Sequence, residues 1–202
     1  MRKLCLTALL VLALPMFSYA TVLTFGPLCS GNCSSVLLGT YGGFTWSSNM
    51  YAEGNGAYMS GWGNTYGAPS GGAAFNGFGQ SPTSMSSGTP FTFDGAAFTA
   101  WAGNDTYQSY SSLNVTVLAY DSSSTFLGLC SQTLSASSYN FLTCNITNVS
   151  TLVFHNDGTA GHWWLMDNFT YNGATVPEPG TMLMFGSGVV GLAGLLRRRI
   201  NL

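Results

Sequence analysis

The chain has 202 residues, with five Lys or Arg against seven Asp or Glu, a formal net charge of −2 and only 6% charged residues. All five basic residues lie in the terminal segments, so residues 21–176 contain no Lys or Arg. A body without cations cannot release counterions from a polyanion, which argues against nucleic acid as a partner and disfavours anionic lipid headgroups and acidic polysaccharides.

Residues 1–20 have the layout of a secretory signal peptide. Arg2 and Lys3 form a basic start, residues 4–14 form an apolar core, and Ser18 and Ala20 are small residues at the two positions that a signal peptidase reads. The apolar core is too short to remain as a membrane span. We therefore predict export through the Sec pathway and cleavage by signal peptidase after Ala20.

Four cysteines remain after that cleavage: Cys29, Cys33, Cys130 and Cys144. An even number in an exported chain indicates disulfides, and four cysteines allow three connectivities. We prefer Cys29–Cys33 and Cys130–Cys144, because each pair brackets a local turn. A zinc site is disfavoured, because Cys29 and Cys33 have no Cys or His partner at a suitable spacing.

Residues 21–175 are predicted to form one all-β domain, a single β-sandwich or jelly roll. Good helix formers are nearly absent, and the apolar residues are spaced by twos. The clearest strand is "LNVTVLAY", residues 113–120, which the turn "DSSS" joins to "TFLGLC", residues 125–130, as its hairpin partner. Other predicted strands are "TVLTF", "SVLLG", "GGFTWS", "AYMSGW", "FTFDGAAFTAW", "NFLTC", "STLVFH", "HWWLM" and "DNFTYNG".

A Gly/Ser-rich stretch over residues 60–90 shows little alternation and predicts a long loop with one or two irregular strands. About ten short strands separated by such segments are typical of a β-sandwich.

The C-terminal segment, residues 176–202, has three ordered parts. Pro177, Glu178 and Pro179 come first, an uncharged, glycine-containing run from Thr181 to Leu196 follows, and Arg197, Arg198 and Arg199 come last. As a hydrophobic helix the run would be about 24 Å long, short of the roughly 30 Å hydrocarbon core, so it is marginal as a permanent transmembrane helix. The arginines place the C-terminus in the cytoplasm and the body on the far side of the membrane.

These three parts resemble the PEP-CTERM sorting signal of exported bacterial proteins. The resemblance implies recognition by an exosortase, a membrane-embedded cysteine protease-transpeptidase, and removal of the tail near Pro177–Pro179. It also implies a Gram-negative host that makes exopolysaccharide. The route would pass through an inner-membrane intermediate to the outer envelope, cell surface or medium. The Ser/Thr/Asn/Gly-rich body loosely resembles galactose-binding-like jelly rolls.

Catalytic chemistry has little support in the sequence. No G-x-S-x-G motif occurs, although His155, His162, Asp157 and Asp167 with a serine would supply the groups of a triad. A glycosidase needs two facing carboxyl groups, and Glu53 is the body's only Glu. We therefore expect no catalytic residues and no enzyme.

Binding sites have weak candidates. Asp94, Asp157 and Asp167 are possible oxygen ligands of a structural Ca²⁺, but each also fits turn or strand chemistry, and we expect no other cofactor. Asp167, flanked by apolar residues, needs a backbone N–H, a hydroxyl, a histidine or a metal as partner. Aromatic residues in or beside Gly/Ser-rich segments are candidates for stacking on sugars: Trp62, Tyr66, Trp101, Tyr107 and Tyr110.

The sequence as a whole predicts a non-enzymatic surface or extracellular-matrix protein with a structural or adhesive role in an exopolysaccharide-rich envelope. Its partners would be signal peptidase and exosortase during export, the membrane through the tail before processing, and extracellular polysaccharide. The alternatives are a specific carbohydrate-binding module and, less favoured, a secreted hydrolase.

Overall fold

The computed structural model describes residues 20–62, 67–102 and 108–173, which lie within one compact unit, Phe17–Ala174. The signal peptide up to Tyr19 and the whole segment 176–202, with Pro177, Glu178, Pro179 and the three arginines, lie outside the described residues. Within the described ranges no helix is both long and apolar enough to cross a membrane.

The described residues form eleven strands, one short helix and two 3₁₀ turns. The strands are β1 (Thr21–Leu23), β2 (Val36–Leu37), β3 (Thr40–Tyr41), β4 (Phe44–Trp46), β5 (Met50–Gly54), β6 (Gly72–Asn76), β7 (Thr83–Ala100), β8 (Asn114–Tyr120), β9 (Phe126–Thr133), β10 (Asn140–His155) and β11 (Trp164–Gly173). The helix is α1 (Asn55–Trp62), and the 3₁₀ turns are Gly77–Gly79 and Gln108–Tyr110. The prediction of an all-β fold is confirmed.

Two long strands, β7 and β10, give the sandwich its two layers. The second half of β7 lies between β11 and the start of β10, in a layer that continues through β6 and β5 to β2. The first half of β7 lies between β4 and the end of β10, beside which β8 and β9 follow. All of these ladders are antiparallel and belong to one eleven-stranded sheet, so β7 and β10 run through both layers.

Bulges allow β10 and β11 to bend. Asn145 and Asn148 in β10 and Asn168 in β11 have φ between +49° and +61°, and the register of the ladders shifts at each of these positions. Asparagine tolerates this left-handed backbone better than most residues. The predicted strands "NFLTC" and "STLVFH" are therefore parts of one bent strand, β10.

The main core lies between the two layers. It includes Phe93 and Phe98 from β7, Val117 from β8, Leu152 from β10 and Phe169 from β11, all fully buried. Phe93 and Phe169 stack with their ring centroids 5.0 Å apart. A second cluster covers the outer face of the β6–β11 layer: Tyr58, Ala68, Ala73, Phe75, Trp101, Ala102 and Leu165.

The predicted strand "AYMSGW" is wrong, because residues 55–62 form α1. A backbone N–H group in its first turn is hydrogen-bonded outside the helix, since the Ala57 N–H donates to Gly31 O at 3.2 Å. The Asn55 side chain also bonds both backbone groups of Ala68, at 3.0 and 2.8 Å. Tertiary contacts of this kind override weak local propensity.

Both preferred disulfides are present, Cys29–Cys33 and Cys130–Cys144. The predicted hairpin of residues 113–130 is confirmed as β8 and β9. The second disulfide joins β9 to β10, and β9 is hydrogen-bonded only to β8 among the described strands. Cys130–Cys144 therefore joins two strands that share no ladder.

Candidate functional site

A cleft of about 380 Å³ lies between two turns at one end of the sandwich. One turn, residues 78–81, follows β6, and the other, residues 155–161, begins at the last residue of β10 and leads into β11. We call this the Phe78 cleft. Its volume lies near the lower end of the range for ligand sites, roughly 300–1,000 Å³.

Two buried asparagine side chains brace the turns, Asn76 between the two turns and Asn156 within its own turn. Asn76 Nδ2 donates to Gln80 O at 3.0 Å and to His162 O at 2.9 Å, while its Oδ1 accepts from Trp164 N at 2.9 Å. Asn156 Nδ2 donates to Thr159 O at 2.9 Å and to His162 O at 3.0 Å. These amides are occupied by the backbone, so their role in the cleft is to position it.

The turns also approach each other directly. Gly79 has φ +61°, and a Cβ at this position would overlap the backbone of Gly161. Only glycine meets both requirements without strain.

Phe78 stands on the rim of the cleft with three-quarters of its surface exposed. Its backbone is left-handed, with φ +58° and ψ +20°. A bulky residue in this conformation costs roughly 1–2 kcal/mol. Its ring makes an edge contact with Tyr51, with centroids 6.2 Å apart. The protein therefore keeps an exposed aromatic ring where glycine would be less strained.

Most of the other side chains at the cleft are polar. They include Gln80, Ser81, His155 and Thr159, and no carboxylate of the described residues lines the cleft. Ser81 Oγ accepts the Asn156 N–H at 3.2 Å. Among the described residues, neither the Gln80 amide nor the His155 ring has a hydrogen-bond partner. The cleft thus offers an aromatic face beside free donors and acceptors.

Asp157 lies in the same turn, but its carboxylate is engaged by the protein. It accepts hydrogen bonds from Leu113 N at 2.8 Å and Thr159 N at 3.0 Å, and it pairs with His162 Nδ1 at 2.9 Å. Burial alone would raise the pKa of Asp157, but the bonds from Leu113, His162 and Thr159 together lower it below its ordinary value. Asp157 stabilises the turn as a carboxylate.

Asp167 is fully buried on β11, and Ser70 bonds both of its carboxylate oxygens. Its Oδ2 accepts from Ser70 N at 2.8 Å and its Oδ1 from Ser70 Oγ at 3.0 Å. Burial raises the pKa of Asp167, and the hydrogen bonds from Ser70 and from the backbone of Asn168 and Phe25 offset only part of that rise. Of the partners considered from the sequence, the backbone N–H and the hydroxyl are the ones present.

The three aspartates considered for Ca²⁺ do not converge. Asp94 Oδ2 accepts from Asn172 Nδ2 at 2.6 Å, whereas Asp157 and Asp167 have the separate partners just described. Within residues 20–62, 67–102 and 108–173, no group of three or more His, Cys, Asp and Glu side chains is placed to hold a metal.

The groups considered for a triad are also separated. His162 pairs with Asp157, but no serine hydroxyl among the described residues is hydrogen-bonded to either histidine. His155 lies at the cleft and Asp167 lies against Ser70. Glu53, on β5, is 7% exposed, and burial raises its pKa to about 7.

The proposed sugar-stacking residues are only partly described. Tyr66, Tyr107 and the side chain of Trp62 lie outside the described residues. Trp101 is 3% exposed, because Phe75 and Trp163 pack on it at 5.2 and 5.7 Å, so its ring is a core element and not an open platform. Tyr110 is 47% exposed and contacts Trp163 at 5.6 Å.

Sequence reasoning missed Phe78. It lies inside the stretch predicted as an irregular loop, between Gly77 and Gly79. An aromatic residue between two glycines in a loop was the available signal, since the glycines add no apolar side chains that would bury the ring. Asn76 and Asn156 carried no comparable signal, because their role depends on contacts with distant residues.

Comparison with known proteins identifies the tail. The model of the PEP-CTERM protein-sorting motif matches residues 175–199, which confirms the resemblance seen in the sequence. The motif implies recognition by an exosortase and an exported protein that transits the membrane and is sorted to the cell envelope.

The comparison with solved structures finds a distant similarity for the body of the chain. A crystal structure of a DUF4465 family protein from Bacteroides caccae is similar to 80% of this chain and 95% of its own, at 11% identity and a TM-score of 0.47. No curated protein matches the chain.

Proposed function

We propose that this chain is a non-enzymatic surface or extracellular-matrix protein, freed from its tail by an exosortase, with a structural or adhesive role in an exopolysaccharide-rich envelope. The observation that carries the proposal is the sorting motif at residues 175–199. Residues 1–20 of the same chain have the layout of a Sec signal peptide, which agrees with export.

The body has features that suit work outside the cell. Two disulfides reinforce a 155-residue domain that lacks Lys and Arg, so covalent links replace salt bridges to basic side chains. The absence of cations also favours contacts with neutral polymers over acidic ones.

The non-enzymatic part of the proposal is supported by how the acidic groups are used. Asp157 holds a turn and Asp167 holds Ser70, so both carboxylates serve the fold. A screen of glycoside and ester substrates tests this part. Turnover that survives purification of the full chain would overturn it.

Intact-mass measurement of the protein recovered from its host tests the sorting part. We expect an N-terminus at Thr21 and loss of the mass C-terminal to about Val176. Replacing Pro177, Glu178 and Pro179 by alanine should leave the tail attached and the protein in the membrane fraction, whereas Gly88→Ala in the body should be processed normally. A mature form of the unmodified chain that keeps Arg197–Arg199 would contradict exosortase processing.

A further inference from the structure

We propose that the Phe78 cleft binds neutral saccharides, with a sugar ring stacked on Phe78 and its hydroxyl groups bonded to side chains of the two turns. This inference rests on the proposed function, because a protein in a polysaccharide-rich layer meets such ligands at high concentration. The Phe78 cleft would be the place where the protein makes the adhesive contact of its proposed function.

The backbone of Phe78 is strained although its side chain is exposed. The ring is 75% exposed and its φ is +58°, so the side chain gains little from burial while the backbone is strained. Glycine would relieve the strain and leave the flanking turn unchanged. Strain that the fold itself does not need is characteristic of functional positions.

The two turns that line the cleft are held in place by hydrogen bonds. The buried Asn76 amide joins the backbone of the first turn to His162, the Asn156 amide braces the second turn, and Gly79 lets the turns touch. A site fixed in this way loses little conformational entropy when a ligand binds. The rim aromatic is thus carried by a preformed, hydrogen-bonded frame.

The lining chemistry selects the ligand class. The Gln80 amide, the His155 ring and the Thr159 hydroxyl present donors and acceptors beside the aromatic face. Sugars match this combination, because their C–H faces pack on rings while their hydroxyls need polar partners. An acidic sugar would need a cation, and the body has no Lys or Arg. A peptide would need further apolar pockets, whereas Phe78 is the one large apolar side chain among the described residues that line this cleft.

The test is affinity electrophoresis of the full chain, produced by export so that its disulfides form and purified in detergent. The gels contain a β-glucan, a galactan, a mannan or, for comparison, the acidic polymer alginate. We expect at least one neutral polymer to retard the protein and alginate to leave its mobility unchanged.

Phe78→Gly is the decisive variant, since it removes both the ring and the backbone strain. We expect the affinity to fall at least about tenfold while the melting temperature does not fall. Phe126→Ala is the matched control, because Phe126 is an exposed ring, 51% accessible, on β9 and away from the cleft residues. This variant should bind like the unmodified chain.

Three results would overturn the proposal: no retardation by any neutral polymer, a preference for alginate, or unchanged binding by Phe78→Gly. The site and the sorting proposal fail separately. Normal tail removal in the host without saccharide binding would reject the cleft alone, whereas saccharide binding together with a tail retained on the protein recovered from its host would reject exosortase processing alone.

Discussion

The His162 imidazole lies against the Asp157 carboxylate, with Nδ1 2.9 Å from Oδ2 and 3.0 Å from Oδ1. The same carboxylate accepts two backbone N–H groups, from Leu113 and Thr159. The pair therefore joins the start of β8 to the turn that forms one wall of the Phe78 cleft. Its geometry is that of a structural clamp on this turn.

We expect Asp157→Asn to lower the free energy of unfolding by about 2 kcal/mol at neutral pH, because hydrogen bonds to a charged acceptor are replaced by weaker ones. The pKa of Asp157 is lowered on folding, so its contribution is complete above the unfolded value of about 3.8 and is lost as pH falls below it. Urea unfolding at pH 7 and pH 3 measures the difference. His162→Ala should cost less, since both backbone bonds remain, and a larger loss for His162→Ala would contradict the clamp.

Local patterns in the sequence sufficed for part of the fold. The alternation of residues 113–120 identified β8, and the "DSSS" turn identified its pairing with β9, because a hairpin is specified by neighbouring residues alone. The bend that turns β10 into a member of both layers was not predictable in the same way. It depends on Asn145 and Asn148 adopting left-handed backbone, which asparagine tolerates but does not require.

The candidate site shows the same division. The tail was readable because its three parts lie in order along the chain. The Phe78 cleft was not, since it is built where Gly79 meets Gly161, two residues far apart in sequence. Trp101 looked exposed from its neighbours in the sequence, yet Trp163 and Phe75 cover it after folding.

Glu53 should make the protein less stable as pH rises towards neutrality. Burial raises its pKa from 4.5 to about 7, so folding favours the protonated form, and stability is lost between pH 4.5 and about 7. A shift of this size corresponds to about 3 kcal/mol as an upper figure. We expect Glu53→Gln to be more stable than the unmodified chain at pH 7.5 and equal to it at pH 4. Equal stabilities at both pH values, measured by urea unfolding, would show that Glu53 ionises without cost.

The two disulfides should differ in their contributions. Replacing both Cys130 and Cys144 by alanine opens a loop of 14 residues and should cost about 3 kcal/mol, by the chain-entropy relation. Replacing Cys29 and Cys33, only four residues apart, should cost about 2 kcal/mol. Denaturant unfolding of the two double variants under non-reducing conditions gives the comparison. A greater loss from the shorter loop would mean that packing of the buried Cys29 outweighs chain entropy.

Gly79→Ala tests whether the frame of the Phe78 cleft is as tight as its geometry indicates. The added methyl group meets the Gly161 backbone, and φ +61° is unfavourable for alanine, so we expect a loss of at least about 2 kcal/mol. Gly88→Ala is the control, because its added methyl group has no atom within 4 Å and its φ is not positive. It should be neutral in thermal unfolding. If the two variants have the same melting temperature, the turns have room to separate, and the frame of the cleft is looser than the close approach of Gly79 to Gly161 indicates.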